Sequence, residues 1–212
     1  MDIKTKERIR ALIGFSNADE NLRRIMGFVS ENQVKGDYAE FGVYRGFSFI
    51  SAYKFAELFG IKDMRFWAFD SFEGFPKIEG IDTEHIWKTG EYSCSKEGFL
   101  NRIKRAGVRE DLVIAIKGFF NKTLKKKYDI KKLAVVYVDC DLYESAKDVL
   151  KFIEPYIQEG TLICFDDWNA YKGRPDRGEQ KAFNEFQNRY KKFKFIEFYN
   201  SGYNKTFLTL RK

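Results

Sequence analysis

The chain has a single histidine, His85, and only three cysteines among its 212 residues. It also lacks any apolar run close to the ~20 residues that a membrane span needs. One histidine excludes, by count, a histidine-based catalytic triad and a metal centre built from several imidazoles. A general base must then be a carboxylate, a lysine, a tyrosine or a cysteine, unless His85 itself serves. Cys94, Cys140 and Cys164 are odd in number and show no CxxC spacing. Free, mostly buried thiols are expected, and zinc is not supported. The N-terminus, Met1-Asp2-Ile3-Lys4-Thr5-Lys6-Glu7, carries no apolar stretch of a signal peptide, so the protein is expected to be cytoplasmic.

What is present bounds the fold. A content of 44% hydrophobic and 17% aromatic residues excludes a disordered chain, and the length suits one domain with a full core. The net charge of +7 is spread over helix patterns and the stretch 122–132. Such an excess can attract nucleic acid, phosphorylated sugars or membrane surfaces, although a lysine-rich face is more often only solvated. No helix-turn-helix, RNA-recognition or zinc-finger string is visible, which disfavours a nucleic-acid partner.

Residues 4–33 read as two amphipathic helices, with Ile9, Leu12 and Ile13 on one face, then Leu22, Ile25, Met26 and Val29. Strands are predicted at 38–41, 65–69, 112–116, 135–138 and 162–165. Helical patterns separate most of them: Phe49 to Phe59, Phe99 to Ala106, and Ala146 to Ile157. A last helix on Ala182, Phe183, Phe186 and Tyr190 leads to a hairpin of period two, 194–199 and 206–210. The expected fold is α/β: a doubly wound, mostly parallel sheet of seven strands with an antiparallel C-terminal hairpin. A helical segment, 1–35, precedes the main part, 36–212, in a single domain. Residues 71–95 have no clear period, and a loop that long is usually functional, for example a lid over a substrate.

Two acidic clusters close strand-like runs, Val138-Asp139-Cys140-Asp141 and Phe165-Asp166-Asp167. Both would reach the carboxyl edge of the sheet, where open α/β folds bind ligands. Four carboxylates so close need a cation, a shared proton or exposure to water. Mg²⁺ is the simplest resolution; unrelated, solvated strand ends are the plain alternative. Asp139-Cys140-Asp141 also fits the DxD pattern with which some glycosyltransferases hold a metal and a nucleotide sugar.

Glu40-Phe41-Gly42-Val43-Tyr44-Arg45-Gly46 joins the first strand to its helix. The middle glycine of GxGxxG is absent and an acid precedes the glycines, which argues against a pyrophosphate-binding dinucleotide fold. An acid there suits a cationic or hydroxyl-bearing ligand, such as the amino acid part of S-adenosylmethionine. Asp70 ends the second strand, where an acid either holds two ribose hydroxyls or serves a turn.

These blocks, together with Phe69-Asp70-Ser71-Phe72-Glu73-Gly74-Phe75-Pro76, Lys117-Gly118-Phe119-Phe120 and Asp139-Cys140-Asp141-Leu142-Tyr143-Glu144-Ser145, make the chain recognisable. From about residue 36 onward it resembles the macrocin-type sugar O-methyltransferases, metal-dependent class I methyltransferases with a Rossmann-like fold. It departs from them in a shorter N-terminal part and in Phe119-Phe120, where a tryptophan-bearing pair is more usual. The resemblance implies S-adenosylmethionine as donor, held by Glu40, Gly42, Tyr44, Gly46, Asp70, Ser71, Gly118, Phe119 and Asp139. It also places Ser95 near the adenine, although Ser93 and Ser95 read locally as helix caps. It further implies Mg²⁺ on Asp139, Asp166 and Asp167, with Asp141 as general base or as a group that orients a ligand of the metal. The acceptor would be a sugar, as a small molecule or in a glycan. A homodimer is left open.

Overall fold

The structure, a computed structural model, describes residues 17–84 and 87–212. The predicted helix around Ile9, Leu12 and Ile13, and His85, lie outside the described residues. Seven strands form one sheet in the order β3-β2-β1-β4-β5-β7-β6. β1 (Asp37–Phe41), β2 (Phe66–Asp70), β3 (Val113–Lys117), β4 (Leu133–Val138) and β5 (Leu162–Phe165) run parallel. β6 (Phe193–Ser201) and β7 (Asn204–Arg211) are the antiparallel hairpin, with β7 paired to β5. All five parallel strands and both hairpin strands fall where the hydrophobic pattern predicts them.

β1, β4 and β5 are buried along their whole length, which explains their unbroken apolar runs. One face of the sheet (Tyr38, Phe66, Val135, Tyr137) packs on α1 (Asn17–Glu31), α2 (Phe47–Leu58) and α3 (Lys96–Arg105). The other (Phe41, Phe69, Val138, Phe165) packs on α5 (Tyr143–Ile153) and α6 (Gly178–Arg189). A short α4 (Phe120–Thr123) lies between β3 and β4. Strand order reverses between β1 and β4, so a crevice opens at their carboxyl ends.

One polar cluster crosses the first of these layers. Asn21 of α1 is fully buried; its amide donates to Cys164 Sγ at 3.0 Å, and its carbonyl accepts from Thr206 Oγ1 at 2.9 Å. The bonds tie α1 to β5 and β7 across more than 140 residues of chain. Asn21→Ala removes both and leaves a buried hydroxyl short of its partner. A loss of about 1–3 kcal/mol is expected in urea unfolding; an unchanged midpoint would show that the cluster contributes nothing.

Candidate active site

Register brings the acids together. Phe41 pairs with Phe69 and with Val138, and Val138 pairs with Phe165. The next residue of each strand, Asp70, Gly42, Asp139 and Asp166, therefore stands in one row across the carboxyl edge. Backbone bonds carry the row past the strands: Gly42 N–H to Phe69 O, Asp139 N–H to Phe41 O, and Asp166 N–H to Val138 O, each 2.9 Å. Gly42 has φ +91°, and a Cβ there would lie 1.8 Å from Asp139 O. Only glycine lets the β1 loop run this close to the acidic strand end.

Above the row is a cavity of about 490 Å³, within the range of small-molecule sites. Gly42, Tyr44, Asp70, Ser71, Phe119, Asp139, Asp141, Asp166 and Asp167 all line it. Of the residues implied by resemblance, Glu40, Gly46, Gly118 and Ser95 are not in its wall. Glu40 is fully buried and accepts from Ser48 Oγ at 2.6 Å and from the Tyr38 hydroxyl. Burial pushes its carboxyl up to about 8, against the pull of those two donors. Ser95 is the N-cap of α3, accepting from Gly98 N–H at 3.0 Å, as its local reading predicted.

Asp70 is more occupied than a free ribose ligand would be. Oδ2 accepts from Val43 N–H (2.8 Å) and Tyr44 N–H (2.9 Å), and Oδ1 from Phe72 N–H (2.6 Å). It holds the glycine loop and its own turn while still facing the cavity. Ser71 Oγ adds a fourth, longer contact to Oδ1 at 3.4 Å, the position a ligand hydroxyl could take over.

Oxygens of Asp139, Asp166 and Asp167 lie within 4.8 Å of one another. Burial, and then the charges of Asp166 and Asp167, push the Asp139 carboxyl well up. An all-oxygen, all-anionic set with this convergence fits a hard divalent cation such as Mg²⁺. Asp166 is oriented by the Tyr137 hydroxyl and by Asn204 Nδ2 at 2.5 Å. Asp141 stands apart from the row. It sits at φ +60° at the centre of a tight turn closed by Leu142 N–H to Cys140 O at 2.5 Å. Burial, and then the charge of Asp167 and a hydrogen bond to it, raise the Asp141 carboxyl far above the usual range.

Described residues of segment 71–95 wall the cavity with a chain of rings. Tyr44 meets Tyr92 at 5.6 Å, Tyr92 meets Phe75 at 5.4 Å, Phe75 meets Trp87 at 5.9 Å, and Trp87 meets Tyr171 at 5.3 Å. Asp82, in the 3₁₀ turn Gly80–Glu84, accepts from Tyr143 N–H (2.9 Å), Glu144 N–H (3.4 Å) and Tyr171 Oη (3.2 Å). The segment thus caps α5 immediately after Asp141. Burial pushes the Tyr92 hydroxyl up to about 12, with the charges of Asp141 and Asp167 adding to it.

Four contributors were not found from sequence: Tyr137, Asn204, Asp82 and Glu179. Glu179, in the first turn of α6, is 1% exposed and accepts from Cys140 N–H and Asp167 N–H. Tyr137 was visible only as a strand residue, and Asn204, past the turn at Asn200-Ser201-Gly202, was not singled out. Nothing local singled out the two acids among 31.

Comparison with known proteins gives the family and the fold. The macrocin-O-methyltransferase (TylF) family profile matches residues 10–196. The chain belongs to that family, and its fold is that of class I methyltransferases. It is 31% identical over 164 residues to the 8-demethyl-8-(2,3-dimethoxy-alpha-L-rhamnosyl)-tetracenomycin-C 4'-O-methyltransferase of Streptomyces olivaceus, covering 74% of this chain and 62% of that protein. It is 30% identical over 156 residues to the mycinamicin III 3''-O-methyltransferase of Micromonospora griseorubida, covering 70% and 61%. The chain spans about three-fifths of the length of these curated relatives. The solved O-methyltransferase NovP superposes with a TM-score of 0.79 at 24% identity, over 91% of this chain and 79% of that one. A calicheamicin methyltransferase gives 0.66 at 22%, over 90% and 77%. Among the described residues, no helix is long and apolar enough to cross a membrane.

Glu40 supplies a pH test of the site's scaffold. Its carboxyl is raised from 4.5 to about 8 in the folded protein, so folding favours the protonated form. Stability from this group is present below about 4.5 and is lost as pH rises toward about 8. Glu40→Gln keeps the shape and removes the titration. The fall in melting temperature across that window should be shallower in the variant; parallel curves would show that Glu40 is already ionised in the folded state.

Proposed function

We propose that the chain is an O-methyltransferase that transfers the methyl group of S-adenosylmethionine to a sugar hydroxyl with the help of Mg²⁺. The observation that carries this reading is Asp141, turned out of the acidic row beside three converging carboxylates in a chain of the macrocin-O-methyltransferase family. The names of the relatives point to a sugar of a natural product as acceptor; a sugar of a surface polysaccharide fits the same cavity chemistry. The DxD glycosyltransferase reading leaves the glycine loop and its Asp70 clasp without a task.

Asp139, Asp166 and Asp167 would hold the metal. The chemistry that bound Mg²⁺ supplies is Lewis-acid polarisation of the acceptor hydroxyl. Asp141 would accept the proton of that hydroxyl at a carboxylate oxygen, and bound S-adenosylmethionine would supply the methyl group from its sulfonium and leave as the neutral thioether. Asp70 and the Gly42 loop would hold the donor, with Asp70 accepting from a ribose hydroxyl in place of its long contact to Ser71 Oγ. Tyr44 and Phe119 give the cavity apolar walls. Segment 71–95 acts as a lid: its ring chain and the Asp82 cap exclude water and fix the reacting groups in line. The three free cysteines suit a reducing compartment, in keeping with a cytoplasmic enzyme.

Calorimetry with S-adenosylhomocysteine tests the donor part, and no binding up to millimolar ligand would sink it. EDTA should abolish turnover and leave that binding nearly unchanged, with Mg²⁺ restoring the rate; full turnover in the chelator removes the metal.

Asp141→Asn keeps the shape of the side chain but cannot take a proton. Turnover should fall by ~10²–10⁴ with Mg²⁺ and donor affinities near wild type. Recovery of that variant in excess Mg²⁺ would make Asp141 a support of the metal and not the base.

A further inference from the structure

Two loops must meet for the acidic row to work as one site. Asp139 and Asp141 follow β4, whereas Asp166 and Asp167 follow β5. The sheet aligns the strands but ends before Cys140 and Asp167, whose N–H groups point away from any ladder partner. Both find the same side chain. Glu179 Oε1 accepts from Cys140 N–H at 3.3 Å, and Oε2 accepts from Asp167 N–H at 3.2 Å.

We infer that Glu179 is a positioning residue that clasps the β4 and β5 loops together and so sets the spacing of Asp139, Asp166 and Asp167 and the stance of Asp141. This rests on the metal and base roles proposed above. Glu179 touches no reacting atom; it acts through the two backbone amides.

The start of α6 is shaped for this work. Gly178 has φ +50°, and a Cβ on it would lie 2.7 Å from the Tyr171 ring and 3.2 Å from Asp141 O. The helix therefore begins directly beneath the Asp141 turn, at a distance no larger residue permits. Gln180 follows and donates from Nε2 to Trp168 O at 2.6 Å, holding the β5 loop one residue beyond Asp167. Three consecutive buried positions thus brace both acidic loops from one helix end.

Chemistry explains why the residue is an acid. Two N–H groups from different loops need a planar group with an acceptor at each corner, and a carboxylate has that form. A glutamine offers one acceptor oxygen and an NH₂ that repels the second N–H. Placing a further acid behind a cluster of acids adds like-charge repulsion. The geometry of the clasp is what such a placement gains.

The test uses Glu179→Gln and Glu179→Ala in the full chain, with three readouts. Amide hydrogen exchange of the metal-free protein should quicken at Cys140 and Asp167 and stay unchanged in β1 and β2. Mg²⁺ affinity by calorimetry should fall about 10- to 100-fold, the usual worth of a group that orients metal ligands, with S-adenosylhomocysteine affinity within about twofold. Excess Mg²⁺ should restore part of the rate in Glu179→Gln. If Glu179→Ala fails to fold, the glutamine variant decides. Unchanged exchange at both amides, or an equal drop in metal and donor affinity with a lowered melting temperature, overturns the proposal. A wild-type protein that binds no Mg²⁺ defeats the metal reading instead; faster exchange at the two amides still supports the clasp.

Discussion

Crowded negative charge at the carboxyl edge of one sheet is the constraint on which the rest of this structure depends. Asp70, Asp139 and Asp166 stand in register, Asp167 and Asp141 flank them, and Glu40 and Glu179 lie buried behind. A protein interior strengthens repulsion among such groups and penalises each charge for leaving water. Two kinds of answer are visible. Some acids are saturated with donors: Asp70 by three backbone amides, Asp166 by Tyr137 and Asn204, and Glu40 by Tyr38 and Ser48. Others, Asp139 and Asp141, keep their proton affinity high. The donors around Asp166 orient a carboxylate that the proposed function gives to the metal, and Asp139 and Asp141 are the acids of the cavity wall whose proton affinity burial and neighbouring charge raise.

That division also explains the order of the layers. α1 to α3 cover the sheet face from which Glu40 reaches Ser48 of α2, and they carry the glycine loop that Asp70 clasps. α5 and α6 cover the other face and begin at the β4 and β5 loops, one capped by Asp82 and one supplying Glu179. Each acidic strand end is therefore followed by a helix whose N-terminal turn is tied back to the site. An anionic cap at such a turn is also favoured by the helix dipole. Segment 71–95 gains its anchor from this rule, since Asp82 satisfies the open amides of Tyr143 and Glu144.

How far the sequence could be read follows from the range of each interaction. The strands declared themselves because burial on two faces requires an unbroken apolar run, a purely local signal. Asp139, Asp141, Asp166 and Asp167 were legible because an acid at the end of such a run has only one edge to occupy. The hairpin showed its period of two. Glu179 meets Cys140 across 39 residues, Asn204 meets Asp166 across 38, and Asp82 meets Tyr143 across 61. Nothing within a helix turn of these residues marks them, so only the folded chain pairs them. Glu40 shows the converse. Its position near the end of a strand, two residues before a glycine, suggested a ligand contact, but strand alternation turned it toward Ser48 and away from the cavity.

The same alternation bears on which acid takes the proton in the proposed reaction. Asp139 continues the β4 row and lies level with Asp166, so its carboxylate is committed to the cluster. Two residues further an extended chain would place Asp141 on the same side, beyond the reach of Asp167. The tight turn at φ +60° breaks that extension and brings the Asp141 carboxyl back into hydrogen-bond contact with Asp167. An L-residue other than glycine pays for this conformation, though aspartate less than most. The strain is held by Gly178 beneath the turn and by the start of α5 after it. In the proposed reaction Asp141 stands beside the convergent set of Asp139, Asp166 and Asp167, touching it through Asp167, and a base so placed accepts a proton without being a ligand itself.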